Sequence, residues 1–372
     1  MNSDLVIVNT LEEQLWREYV NQHPHGNIFH TPEMFRVFEC ALGHHPSLLA
    51  AIDKDGHVLG LLLPVQVTLM NGMLRRLTTR SIAYGGLLCT TDVLMGKKAV
   101  AKLLQVISAS AGRESLFTQI RNLSDTSVFQ TVLSQCGFTF EDHLNFLIDL
   151  NGSTEEVLQN IGARTRKHIR RALRRGTVII EQMNHLDQLA IWYKLVSKSY
   201  LAAHVPLADQ SLFEAAFNIL QPRRMVQFWL ARIDSSYVAA SAELLYKDVI
   251  YGWYSGVDRA FAAEHPGEML MWQVLSWGAQ NGYKTYDFGG AGKPGEAYGV
   301  RDFKAKFGGK LVCFGRNTCI HAPLFLIISM LGYRVWTGSH RLGGRFLSPR
   351  CDADHVIQRN ASVLKPGGLD DG

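Results

Sequence analysis

Tyr283-Lys284-Thr285-Tyr286-Asp287-Phe288-Gly289-Gly290 leads through a polar loop into Tyr298-Gly299-Val300-Arg301-Asp302-Phe303-Lys304-Ala305-Lys306-Phe307-Gly308-Gly309, and this stretch decides the fold. Thr285–Phe288 reads as a short strand that runs into two glycines. Glycine has no Cβ, so Gly289 and Gly290 let the backbone turn and come close to a ligand. The loop Ala291–Gly299 carries Gly292, Pro294, Gly295 and Gly299, too many breakers for a helix or a central strand. Beyond it, Phe303 and Phe307 alternate with Lys304 and Lys306. As a strand, this segment puts the lysines on one face with Asp302 and the aromatics on the other. A lysine fixed on an aromatic shelf is well placed to stabilise developing negative charge. The competing reading is a hairpin whose lysines only solubilise one face.

Working back, helix Gly267–Asn281 precedes this stretch, and a hairpin, Val238–Leu245 with Val249–Ser255, turns on Lys247-Asp248. Gly252 and Gly256 alternate with aromatics there, which predicts an element packed closely over the strand. Tyr254 is a candidate to orient a polar substrate, or else a core aromatic. Strand Val226–Ile233, helices Leu186–Ala203 and Gln210–Leu220, strand Val178–Gln182 and helix Thr154–Arg175 lie further back, and strand Lys310–Arg316 follows.

The first half has the same order of elements. Thr10 and Glu13 have capping-box spacing before helix Leu11–Asn21. Thr31 reads as the N-cap and Pro32 as the first residue of a helix ending near Leu42. Strands Leu48–Ile52 and Val58–Val67 flank a charged turn. Strand Leu74–Ile82, helix Val93–Ala111, strand Leu116–Ile120, helix Ser127–Cys136 and a strand near Asn145–Asp149 complete the half. Two similar halves, each with an antiparallel meander, predict a mixed α/β (α+β) protein with domains at 1–150 and 151–317. An apolar and basic helical segment at 318–350 and a disordered tail at 351–372 follow.

Composition suits a globular enzyme: 372 residues, 47% hydrophobic, 19% charged and a net charge of +5. Six scattered cysteines include no Cys-x-x-Cys, and no His pair has metal-ligand spacing, so no metal is expected. The N-terminus lacks the pattern of a signal peptide, and no apolar run is long enough to span a bilayer. The expected location is the cytoplasm, with contact to the inner face of the membrane through the apolar stretch from His321 to Trp336 as one reading and core packing as the other.

Ala163–Arg175 holds seven Lys or Arg among thirteen residues and no acid. Ile161, Ile169, Ala172 and Leu173 form its apolar side, while Arg166, Arg170 and Arg174 form one ridge. Guanidinium groups crowded on one rigid element match phosphate, as on a nucleotide, tRNA, a pyrophosphate-linked lipid or a membrane surface. The other reading is a solvated basic face. Serine-hydrolase, P-loop and zinc-protease motifs are absent.

Three stretches together resemble the Fem family of aminoacyltransferases and their GNAT-like relatives: Ala172-Leu173-Arg174-Arg175-Gly176-Thr177-Val178, the run Trp277–Gly290, and Tyr298-Gly299 with Phe303-Lys304-Ala305-Lys306-Phe307-Gly308-Gly309. The likeness covers about residues 150–315, and Phe29-His30-Thr31-Pro32 is the best local match before it. The resemblance implies two tandem GNAT-like domains, of the type without a coiled-coil arm. It implies acyl transfer from an activated donor, usually aminoacyl-tRNA, to an amine of a peptidoglycan or other glycan precursor, with no tightly bound cofactor. Lys304 matches the family lysine suggested to stabilise the oxyanion. Arg166 and Arg170 are then expected on phosphate, and Tyr254, Asp287, Gly289, Gly290 and Phe303 around the substrate.

Some relatives take the acyl group from acyl-CoA and acylate an amino sugar. Acyl-CoA enzymes of the GNAT type usually cradle pyrophosphate on a glycine-rich loop at a helix N-terminus. Here Arg259–Glu268 holds one glycine and two glutamates, which counts against such a site. A non-catalytic RNA- or membrane-binding protein on the same scaffold is the third alternative.

Overall fold

A computed structural model describes residues 5–112 and 114–341. The first half runs β1 (Val6–Val8), α1 (Glu13–Gln22), α2 (Pro32–Cys40), β2 (His44–Pro46), β3 (Leu49–Ile52), β4 (Val58–Leu62), β5 (Val65–Thr68), α3 (Arg75–Thr78), β6 (Thr79–Ala83), β7 (Leu87–Cys89), α4 (Val93–Ala111), β8 (Phe117–Arg121), α5 (Gln130–Gln135) and β9 (Thr139–Glu141). The second runs β10 (Leu144–Asp149), α6 (Thr154–Asn160), α7 (Ala163–Arg175), β11 (Ile179–Gln182), α8 (Leu189–Ala202), α9 (Gln210–Leu220), β12 (Val226–Ile233), β13 (Ser236–Tyr246), β14 (Val249–Val257), α10 (Pro266–Gln280) and β15 (Thr285–Gly290). It closes with α11 (Gly299–Ala305), β16 (Lys310–Cys313), β17 (Arg316–Ile320) and α12 (Pro323–Arg341). The fold is mixed α/β. The expected tail, 351–372, and the last part of the expected apolar and basic segment, 342–350, lie outside the described residues.

Where a local cap or breaker fixes an element, sequence and structure agree. Thr31 accepts the Met34 amide at the start of α2, with Pro32 as its first residue. Gly176 ends α7 with φ +64°. Elsewhere the reading is corrected. Glu12, not Thr10, caps α1, its carboxylate accepting from Gln14 and Leu15. The expected helix 154–175 breaks at Ile161-Gly162 into α6 and α7. The expected strand Val58–Val67 breaks at Pro64, which has no N–H to give a ladder, into β4 and β5 of two different sheets. Arg75–Thr78 is a helical turn rather than the start of a strand. Leu173, expected in the core, is exposed.

The sheets do not divide as the two-domain reading expected. Among the described residues there are three, ordered β1-β3-β4-β7, β2-β5-β6-β8-β17-β9 and β11-β12-β13-β14-β15-β10-β16. Strand β10, read as closing the first half, lies inside the seven-stranded sheet of the second, between β15 and β16. Lys310–Arg316, read as one strand, is divided: β16 stays with the second half, and β17 inserts between β8 and β9 of the first. The expected boundaries at 150 and 317 therefore fall beside or within strands that join the halves. The halves also share a core, in which Met34, Phe38 and Val67 pack with Trp192, Phe213 and Phe228.

Two strand pairs are parallel among the described pairings, β6 with β8 and β14 with β15. The second pair is in register only from Val249↔Thr285 to Tyr251↔Asp287, after which β14 continues to Val257 and β15 turns to pair Gly290 with Asn145. The divergence opens a cleft at the C-terminal end of the pair. The β6–β8 pair ends at Ala83↔Ile120, just before Tyr84 and Arg121. The element over β14 is α8, so close at Gly256 that a Cβ there would stand 2.6 Å from the Val196 Cα.

Candidate functional site

The cavity where these strand ends meet has a volume of about 130 Å³. Tyr84, Arg121 and Asn122 line it from the first half, and His143, Asp287 and Arg316 are among those facing them. Of the candidate substrate-binding residues read from the sequence, Asp287, Gly289 and Gly290 line this cavity, and Phe29 and Gly252 join them. A Cβ at Gly290 would lie 2.6 Å from His143 Nε2, so any side chain there would displace that ring.

Asp287 is the buried acid of the site, 4% exposed. Its Oδ1 accepts from the Gly289 amide at 2.7 Å and from Asn145 Nδ2 at 3.3 Å. Burial raises its pKa to about 6, against the opposing pull of the Gly289 hydrogen bond, the Lys304 charge and Asn145. Beneath the same strand, Tyr286 donates to buried Glu243 at 3.0 Å, and burial raises that carboxyl to about 7.

Lys304 lies behind this strand end. The expected strand at 302–307 is instead helix α11, because Phe303 and Phe307 fit an i, i+4 helical pair as well as a period of two. The two rings pack at 5.3 Å against the second-half core, so Phe303 is a packing residue away from the cavity. Lys304 is buried on α11, and its Nζ donates to the Phe288 carbonyl at 2.5 Å and the Gly290 carbonyl at 2.7 Å. The ammonium thus holds the end of β15 from below and sets a fixed positive charge beside Asp287.

Arg166 and Arg170 are not brought to the cavity. Arg166 Nη1 donates to the Gln159 carbonyl at 2.5 Å, closing the end of α6. Arg170 pairs with Glu155 at 2.6 Å on the surface. Tyr254 stands against Phe213, ring centroids 4.8 Å apart, with Arg80, Arg121 and Tyr84 close enough to act on its charge. Sequence reading missed Arg80, Arg121, His143 and Arg316. The available signal was a lone arginine near the end of an otherwise uncharged strand, as in Thr79–Ala83 and Phe117–Arg121.

The N-terminus of α10 is where a GNAT pyrophosphate would be sought, and these residues do not fit one. Glu268, 6% exposed, occupies the first turn. His168 Nδ1 approaches it at 2.9 Å, His265 Nδ1 at 3.6 Å and Lys306 Nζ at 3.4 Å. The carboxylate occupies the position, and the Lys306 ammonium and the two imidazoles surround it. The two histidines and Glu268 lie close enough to share a metal ion, but their rings stack at 3.9 Å and a lysine is a fourth neighbour, the arrangement of an ion-pair cluster. In the first half, Asp92 accepts from the Leu94 and Met95 amides at the start of α4, which also satisfies that helix end with an acid.

Residues 161–305 match the family model described as an acetyltransferase (GNAT) domain. No curated protein sequence matches the chain. Among solved structures, FemX is similar at TM-score 0.65 and 16% identity, over 87% of this chain and 100% of that one. The C-terminal domain of a putative lysylphosphatidylglycerol synthetase from Agrobacterium fabrum is similar at TM-score 0.53 and 14% identity, over 86% and 95%. A tandem GNAT protein from the clavulanic acid biosynthesis pathway is similar at TM-score 0.52 and 9% identity, over 86% and 99%. At these identities the likeness is one of fold.

Proposed function

We propose, for a chain whose residues 161–305 form a GNAT acyltransferase domain, that it transfers an aminoacyl group from an ester donor, aminoacyl-tRNA, to an amine of a cell-wall or surface-glycan precursor in the cleft beside β15. The observation that carries this reading is the placement of Asp287, a buried carboxyl with a pKa of about 6 at the point where β14 and β15 part. A carboxylate of that pKa takes a proton from an attacking ammonium near neutral pH. The deprotonated amine adds to the ester carbonyl; the tetrahedral oxyanion re-forms the carbonyl as the ribose oxygen leaves with the proton Asp287 took up, and the new amide nitrogen returns its extra proton to the carboxylate. Lys304 supplies positive charge under the reacting centre and keeps Gly289 and Gly290 in place.

The donor assignment rests on charge. Acids at the starts of both α4 and α10 leave neither helix end suited to the pyrophosphate of CoA. Incubation of the purified chain with labelled aminoacyl-tRNAs and, separately, labelled acyl-CoAs, with wall and glycan precursors as acceptors, should move label from tRNA alone. Label moving only from CoA overturns the aminoacyl reading and favours acyl-CoA-dependent acylation of an amino sugar.

We further propose peripheral contact with an anionic membrane. No helix among the described residues is long and apolar enough to cross a bilayer. Met73 is 99% exposed, and α12, packed beside α3, exposes Leu324, Ile328 and Leu331. Arg75 and Arg76 adjoin them, the latter with its guanidinium 4.3 Å from the Phe325 ring centre. Burying one such apolar side chain contributes about 2 kcal/mol. The double substitution Met73→Glu, Leu324→Glu should therefore lower co-sedimentation with phosphatidylglycerol vesicles more than tenfold. A wild-type protein that stays in the supernatant refutes the contact.

A further inference from the structure

Three arginines project from one face of the six-stranded sheet toward the second half. The register fixes this. Ile82 lies beside Gln119, and Arg121 lies opposite Arg316. Side chains two apart on a strand share a face, so Arg80, Tyr84, Arg121 and Arg316 point the same way. Directly opposed like charges such as Arg121 and Arg316 destabilise a sheet.

The charge of Arg80 and Arg121 is not neutralised by an ion pair: among the described residues, no carboxylate pairs with either. Arg121 donates from Nε to Gln119 Oε1 at 3.0 Å and lies over the Tyr84 ring, 5.3 Å from its centre. Arg80 Nε is buried and makes no hydrogen bond. Burial lowers the Arg80 pKa, Arg121 adds to that, and Tyr84 and Tyr254 oppose it. Glu141, opposite Arg316 on the other side, is engaged by Lys293 at 3.2 Å. Arg316 itself meets His143 Nε2 at 2.7 Å. An arginine does not discharge by losing its proton in a protein, so a half-buried guanidinium lacking a counter-ion is stabilised by an anion from outside.

We propose that Arg80 and Arg121, with Arg316 at the margin, bind a phosphate group of a substrate. The charge selects phosphate over a carboxylate, since the two guanidiniums of Arg80 and Arg121 already exceed what one monoanion offsets, and arginine matches phosphate oxygens in pairs. The subsite belongs to the first half, whereas Asp287 and Lys304 belong to the second. A substrate held at both ends thus spans the shared cleft. This deepens the acyl-transfer reading by giving one substrate a phosphate. The phosphate comes from one of two sources, a phosphorylated sugar on the acceptor side or the nucleotide end of the donor.

Calorimetry and thermal unfolding of the full chain test the subsite without any acyl transfer. Inorganic pyrophosphate, a sugar 1-phosphate and a nucleoside 5′-monophosphate serve as probes. Pyrophosphate should raise the melting temperature of the wild type, and Arg80→Met should weaken its binding about 10- to 100-fold, the range for hydrogen bonds to charged groups. Arg80→Met should also melt no lower than wild type without ligand, because it removes a half-buried cation that makes no ion pair among the described residues. Arg121→Met checks the same loss should Arg80→Met not fold, and Arg80→Lys should retain part of the binding. Loss of sugar-phosphate binding in the variants assigns the site to the acceptor, and loss of nucleotide binding assigns it to the donor. No binding by the wild type, or binding by Arg80→Met and Arg121→Met as tight as that of the wild type, overturns the subsite. Pyrophosphate binding that persists in a chain unable to transfer label from any donor would leave the subsite standing and refute only the transfer reading.

Discussion

Asp287→Asn should lower turnover about 10²- to 10⁴-fold, the range for loss of a positioned general base. The wild-type rate should rise with pH to a plateau above about 6, where the Asp287 carboxyl ionises, and the variant profile should be flat across that range. The same substitution has a stability signature of defined sign. The folded-state pKa of Asp287 is raised from 3.8 to about 6, so folding favours its protonated form. Its contribution is fully present below about pH 4 and is lost as pH rises through 6. A shift of about 2 units corresponds to roughly 3 kcal/mol. Asparagine keeps the shape without the charge, so Asp287→Asn should gain stability relative to wild type at pH 8 and not at pH 4. Unchanged turnover with an unchanged pH profile would remove Asp287 from the chemistry.

Lys304→Met should reduce kcat about 100-fold with little change in KM, corresponding to about 3 kcal/mol of transition-state stabilisation. It should also lower the melting temperature, because the carbonyls of Phe288 and Gly290 lose a buried donor. The two effects separate the lysine's roles. Full turnover in a destabilised protein would make Lys304 a clamp for β15 and nothing more. A large loss of kcat at unchanged stability would place its charge on the reaction alone.

Local chemistry made much of the fold legible. Helix α9 and strand β12 begin and end as read from the sequence, because Asp209 caps the one and the apolar run Phe228–Ala231 marks the other. Asp287, Gly289 and Gly290 line the candidate cavity, and a strand ending in paired glycines is a local signal that singles them out. The segment 299–305 was not, since aromatics four apart satisfy a strand and a helix alike. Nor was the insertion of β17 between β8 and β9, a pairing of residues far apart in the chain that no local pattern encodes. Arg80 and Arg121 escaped notice for the same reason. Each is unremarkable in its own strand, and only the register sets them beside Arg316. Arg166 and Arg170 drew attention by their density, yet Glu155 and the end of α6 already engage them.

The exchange of β10 and β17 between the halves sets an order on synthesis. Strand β9 reaches its sheet only through β17, which ends at Ile320. A chain emerging from the ribosome therefore cannot complete the sheet of its first half until nearly all of its second half has been made. That sheet also carries Arg80 and Arg121, so the cleft is assembled in one late step. No truncation between residues 150 and 316 leaves either half with all its strands, and the two halves should melt as one body.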